Sequence, residues 1–216
     1  MLSLTFGSEA ERQRAIDGIL EIHRRVHGHL AVGTSRFPAG TPYSAEDPDL
    51  VLWVHATLIE SVLMTHELFV GPLTPAERDV YCAEAAPIAV ALHARAEDVP
   101  RTWADARSYL DRMYASGTLE VTSQARALAR AVLWPPPPAA WLAAPALWIN
   151  RIVTLGMLPP QIRQQYRFEW TRASQRAFDA VVPMLRWLRR VLPRAITLWP
   201  EARAAASAGI HLPNEL

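Results

Sequence analysis

Apolar residues along this chain recur every three or four positions, and almost nowhere do they alternate with polar ones. That pattern predicts helices rather than strands. Ser8-Glu9-Ala10-Glu11 reads as a capping box that opens a first helix, with Ile16, Leu20, His23, Val26, His27 and Leu30 as its apolar stripe. Gly28 and Gly33 weaken the helix, and residues 33–46 are rich enough in Gly, Ser, Thr and Pro to form a loop. Asp47-Pro48 then starts a helix that runs to about Val70 and stops at Gly71-Pro72. Its first four turns are apolar on nearly every side, which predicts a central helix over 48–70 surrounded by protein.

Further helix starts follow at Thr74-Pro75-Ala76-Glu77, Thr102, Thr122 and Thr171. The helix after Thr74 is expected to be interrupted at Pro87, and the one after Thr171 to kink at Pro183. Pro135–Pro138 reads as a stiff connector, followed by a helix over roughly 140–155 and a short one after Pro159-Pro160. The last long helix should bury Phe178, Val181, Val182, Leu185, Leu188 and Leu192. Arg186, Arg189, Arg190 and Arg194 should lie on its solvated side. The expected architecture is therefore all-α: a single domain over 1–216 with about seven to eight helices around the 48–70 helix. The tail after about residue 200 should be weakly ordered.

Composition narrows the chemistry. All 22 basic residues are arginine, which excludes lysine Schiff bases and a phosphate loop of the G-K-[ST] type. Genomic base composition is sufficient reason for that bias. A net charge of +1 gives no basis for nucleic-acid binding. Cys82 is the only cysteine, so no intrachain disulfide or cysteine-rich metal site can form, and a reducing, cytoplasmic setting is expected. The first six residues lack the pattern of a signal peptide. The Leu50–Met64 stretch carries His55 and Glu60 and is too short to span a membrane. There is no G-x-S-x-G, G-x-G-x-x-G or Cys-x-x-Cys motif.

Histidines are the informative residues. His23 and His27, four apart on the predicted first helix, would present both imidazoles on one face, as a metal pair requires. Arg24 stands where the zinc-peptidase motif H-E-x-x-H needs its glutamate, so the pair otherwise lines a core stripe. His55 sits in Trp53-Val54-His55-Ala56-Thr57-Leu58, where burial favours the neutral imidazole that ligates metals. Bulky apolar neighbours there suit a flat porphyrin better than a hydrated ion; a packed core histidine is the other reading. His66 lies on the same stripe but about 16 Å further along the axis, at 1.5 Å per residue. It should stand with Glu67 at the outer end of the helix. Glu60 in an apolar stretch needs a partner, either an arginine from another helix or the environment of a catalytic acid with a raised pKa.

Several blocks together resemble one family. They are Phe6-Gly7-Ser8, Ile22-His23, Tyr43-Ser44-Ala45-x-Asp47-Pro48, Trp53-Val54-His55-Ala56-Thr57-Leu58, Pro72–Arg78 with Tyr81, Thr102-Trp103-Ala104-Asp105 and Leu158-Pro159-Pro160-x-Ile162-Arg163. Over most of residues 6–170 the chain resembles the catalytic-domain family of the MpaB oxygenase and the rubber oxygenase (latex clearing protein). The resemblance implies an all-helical fold holding haem b, with His55 as the proximal iron ligand. It also implies oxygen-dependent oxidation of a small apolar substrate, as in the family's cleavage of isoprenoid double bonds. His23 and His27 are our own assignment as lining residues of that cofactor pocket. In the family a helical segment carrying an Arg and a Thr precedes the Phe-Gly-Ser region, so either the protein begins further upstream or it is an N-terminally short member, whose open groove could promote a homodimer. Two rival readings follow: a non-catalytic protein of the same fold that binds a hydrophobic ligand or protein partner, and a non-haem metal site on His23 and His27.

Overall fold

The computed structural model describes Leu4, residues 7–137 and residues 143–193. Pro138, Arg194 and the tail after residue 200 lie outside the described residues. Among those described, eight helices and one short ribbon follow one another, and the fold is all-α. They are α1 (Glu9–Arg25), β1 (His27–His29), β2 (Pro42–Ser44), α2 (Pro48–Phe69), α3 (Pro75–Ala91), α4 (Trp103–Ala115), α5 (Ser123–Leu133), α6 (Ala144–Met157), α7 (Pro160–Gln165) and α8 (Arg172–Val191).

Capping chemistry sets most of the starts. The Ser8 and Thr74 hydroxyls accept the Glu11 and Glu77 N–H groups, and those glutamates accept the cap N–H in return, at 2.8 and 2.7 Å. Asp47 accepts from the Asp49 N–H at 2.9 Å, with Pro48 in the first turn where no donor is missed. Thr102, Thr122 and Thr171 cap α4, α5 and α8 in the same way.

Three expectations change. First, α1 ends at Arg25 rather than running on through His27 and Leu30. The chain turns into β1, which pairs antiparallel with β2 in the register His27–Ser44, Gly28–Tyr43 and His29–Pro42. Gly28 is the reason: it disfavours helix, and its bare Cα accepts the Tyr43 ring. A Cβ at residue 28 would stand 3.1 Å from the Tyr43 hydroxyl oxygen. Second, α3 continues through Pro87. Ala86 and Ala89 beside it are buried to 0 % and 1 % exposure, and that packing outweighs a proline penalty of about 3 kcal/mol. Third, two residues of α8 trade places: Leu188, expected in the core, is exposed, and Arg186 does not face solvent. Its guanidinium donates to the carbonyls of Glu67 (2.8 Å) and Leu68 (2.8 and 3.1 Å), the unpaired end of α2. Arg189, one turn on, is also partly buried.

Helix α2 is the hub and packs on α3, α4 and α8. Val51 and Leu52 join Ala86, Ala89, Ala94 and Val99 in one apolar cluster; Ile59 and Leu63 join Cys82 in a second. Helix α6 packs on α8 at Gly156, where an added Cβ would overlap the Phe178 ring. One stripe of α2 stays uncovered: Leu50, Val54, Leu58 and Val62, spaced four apart, are 42–53 % exposed. The hub is thus enclosed over only part of its circumference.

Candidate functional site

His55 stands on α2 between the two core clusters, following Val51 and Leu52 and preceding Ile59. It is 9 % exposed, and its Nε2 is buried with no hydrogen-bond partner among the described residues. Burial pushes its pKa below the ordinary histidine value, so the ring is neutral at physiological pH. A neutral imidazole with an uncommitted nitrogen is the donor that a haem iron takes. Leu58 and Val62, three and seven residues on, share its side of the helix and belong to the uncovered stripe. The donor and its flank are of the kind that would hold a haem iron beside an apolar surface. As packed, however, the nitrogen is shut from solvent, so a macrocycle must displace a neighbour to reach it.

The other histidines take separate places. His23 is partly buried near the end of α1, with its Nδ1 buried and unpartnered among the described residues. His27 is exposed in β1. Because the helix stops between them, the shared helical face expected for this pair does not form. Among the described residues, no group of three or more His, Cys, Asp or Glu side chains is placed to hold a metal ion. His66 closes the far end of α2, its Nδ1–H donating to the Gly71 carbonyl at 3.2 Å, while Glu67 pairs with Arg78 (Nε at 2.8 Å). Cys82 is fully buried, and desolvation raises its thiol to about 11, which removes it as a nucleophile.

Glu60 forms a second polar centre about half a turn around α2 from His55. It is 8 % exposed and accepts from Arg107 Nη1 at 3.1 Å and from the Tyr114 hydroxyl at 2.8 Å. The arginine partner was foreseeable in kind. The tyrosine was not, because it lies 54 residues away on α4 and no local pattern announces it. Burial and the Glu60 carboxylate together push the Tyr114 phenol well above its usual value, so it remains a donor. Trp53 meets the Tyr114 ring edge to face, with centroids 5.8 Å apart.

Above this centre opens a cavity of about 530 Å³, walled by Trp53, Met64 and Tyr114 on one side and by Met157, Leu158 and Tyr166 on the other. An adjoining cavity of about 580 Å³ shares Glu60, Met64, Tyr114 and Met157, and it adds Arg107 and Asp111. Neither is lined by His55. Among the described residues no helix is long and apolar enough to cross a membrane.

Comparison with known proteins agrees with this frame. The chain is 29 % identical over 198 residues to an uncharacterized protein of Mycobacterium tuberculosis and, equally, to one of Mycobacterium bovis. Each alignment covers 88 % of this chain and 71 % of the relative. No solved structure matches it. The family described as "ER-bound oxygenase mpaB/B'/Rubber oxygenase, catalytic domain" matches residues 1–187. The chain belongs to that oxygenase catalytic-domain family.

Proposed function

We propose that this protein is a haem-dependent oxidoreductase, an oxygenase acting on a small apolar molecule, with His55 as the axial ligand of haem b. The observation that carries the reading is the unpartnered, buried Nε2 of His55 on the hub helix of an oxygenase-family fold. A buried polar atom left without a partner costs about 1–3 kcal/mol, and binding iron would relieve that cost. Haem, when bound, supplies the oxygen chemistry. The chain's own part is to keep the imidazole neutral by desolvation and to present Leu58 and Val62 as an apolar flank. The lone, buried Cys82 supports a reducing compartment, and we place the protein in the cytoplasm.

Titration of the purified chain with haemin tests this directly. We expect a saturable Soret band whose position shifts, and whose affinity falls at least about tenfold, in His55→Ala. Identical spectra and affinities for parent and variant would overturn the assignment.

One observation favours a second reading, a non-catalytic protein of the same fold that binds a hydrophobic ligand. His55 Nε2 is closed in, while the open cavities lie on the other side of α2. Absence of any Soret band together with ligand binding in those cavities would select it.

A further inference from the structure

We propose that the paired cavities beside Glu60 form a binding site for an amphipathic organic cation, an amine with an apolar body, separate from the His55 site. The inference goes beyond the haem reading and needs no haem.

Three observations carry it. The first is shape. The two cavities meet over Glu60, Met64, Tyr114 and Met157 and form one trough between α2, α4 and α6, in the size range of small-molecule sites. The second is charge. The charged side chains lining the trough are Glu60, Asp111 and Glu120 against Arg107 alone, three carboxylates to one guanidinium. Arg107 already divides itself between Glu60 (3.1 Å) and Asp111 (3.2 Å). Arg126 adds its field at Glu120, but it donates to the carbonyls of Val121 (2.7 Å) and Gln165 (3.4 Å) and does not line the trough. Glu120 is fixed through one oxygen by the Ser35 N–H (2.7 Å) and hydroxyl, and its other oxygen takes no hydrogen bond among the described residues. The third is the walls. Trp53, Tyr114 and Tyr166 all line the same space, and aromatic rings attract cations.

An anion would meet an excess of carboxylate over guanidinium here, and a neutral apolar molecule would gain nothing from it. A cation gains from carboxylate and ring together. The apolar body has Met64, Met157, Leu158 and Ile162 to rest on.

Calorimetric titration of the full chain, without added haemin, with octylammonium, 1-octanol and octanoate separates these cases. All three share one hydrocarbon chain and differ in the head group. We expect saturable octylammonium binding, about tenfold tighter than octanol, with octanoate weakest. Glu120 is exposed, so Glu120→Gln leaves folding intact and should cut the amine's advantage about threefold without changing octanol. Thr154→Phe, which fills the wall of the trough, should abolish binding while the helical circular dichroism is retained. Equal affinity for alcohol and amine, preference for octanoate, no saturable binding, or an amine advantage unchanged by Glu120→Gln would each overturn the proposal. Haemin binding can fail without touching this result, and this result can fail without touching haemin binding.

Discussion

Replacing Tyr114 with Phe isolates a single hydroxyl. The ring keeps its edge-to-face contact with Trp53, so the change removes only the 2.8 Å donor to Glu60. A hydrogen bond to a charged group contributes about 1.5–3 kcal/mol, and its loss leaves a nearly buried carboxylate short of one partner. Two features set the size of the loss. Arg107 cannot compensate fully, because it is half exposed and already shared with Asp111. The trough above Glu60, on the other hand, lets a water replace part of what the hydroxyl gave. The expected cost is therefore about 1–2 kcal/mol, or about 2–8 °C in melting temperature for a domain of this size. Urea denaturation at pH 7, followed by tryptophan fluorescence and by circular dichroism, measures it. A loss below about 0.5 kcal/mol would mean that the Glu60–Tyr114 contact is not a structural bond. A Glu60→Gln, Tyr114→Phe cycle should show coupling between the two positions.

Two further outcomes are expected. Gly156→Ala drives a methyl into the Phe178 ring and should destabilise by about 1–3 kcal/mol, with partial rescue by Phe178→Leu. An unchanged melting temperature would refute the close α6–α8 approach. Because burial lowers the His55 pKa in the folded state, the unfolded chain takes up this proton first as pH falls. Stability should thus be independent of His55 above the ordinary histidine value, decline as pH drops below it, and level off once the lower folded value is passed. His55→Leu should flatten that decline below the ordinary histidine value, and identical slopes in parent and variant would count against a desolvated ring.

What could be read from the sequence was local. Ser8, Thr74, Thr102, Thr122 and Thr171 announce their helices because a cap is completed within three residues. The hub helix was equally legible from its apolar run, but not the uncovered stripe of Leu50, Val54, Leu58 and Val62. The end of α1 was not, since Val26 and Leu30 continue a helical stripe. The β1–β2 pairing that interrupts it depends on Tyr43, fifteen positions beyond Gly28. Pro87 misled for a related reason: a local rule was outweighed by packing from other helices. At the site, the sequence singled out His55 and Glu60 as polar residues in an apolar stretch. It could not supply Arg107, Tyr114 or Glu120, which arrive from distant segments. Arg186 escaped because an arginine near the end of an amphipathic helix looks the same whether it meets water or another helix's carbonyls.

That arginine links the fate of two segments far apart in the chain. Peeling α8 away would strip the carbonyls of Glu67 and Leu68 of their donor and loosen the final turn of the hub. The late-synthesised segment thus acts as a clasp on the early one. Opening of the two should register as a single cooperative event in hydrogen exchange, with amides at the end of α2 and the middle of α8 released together.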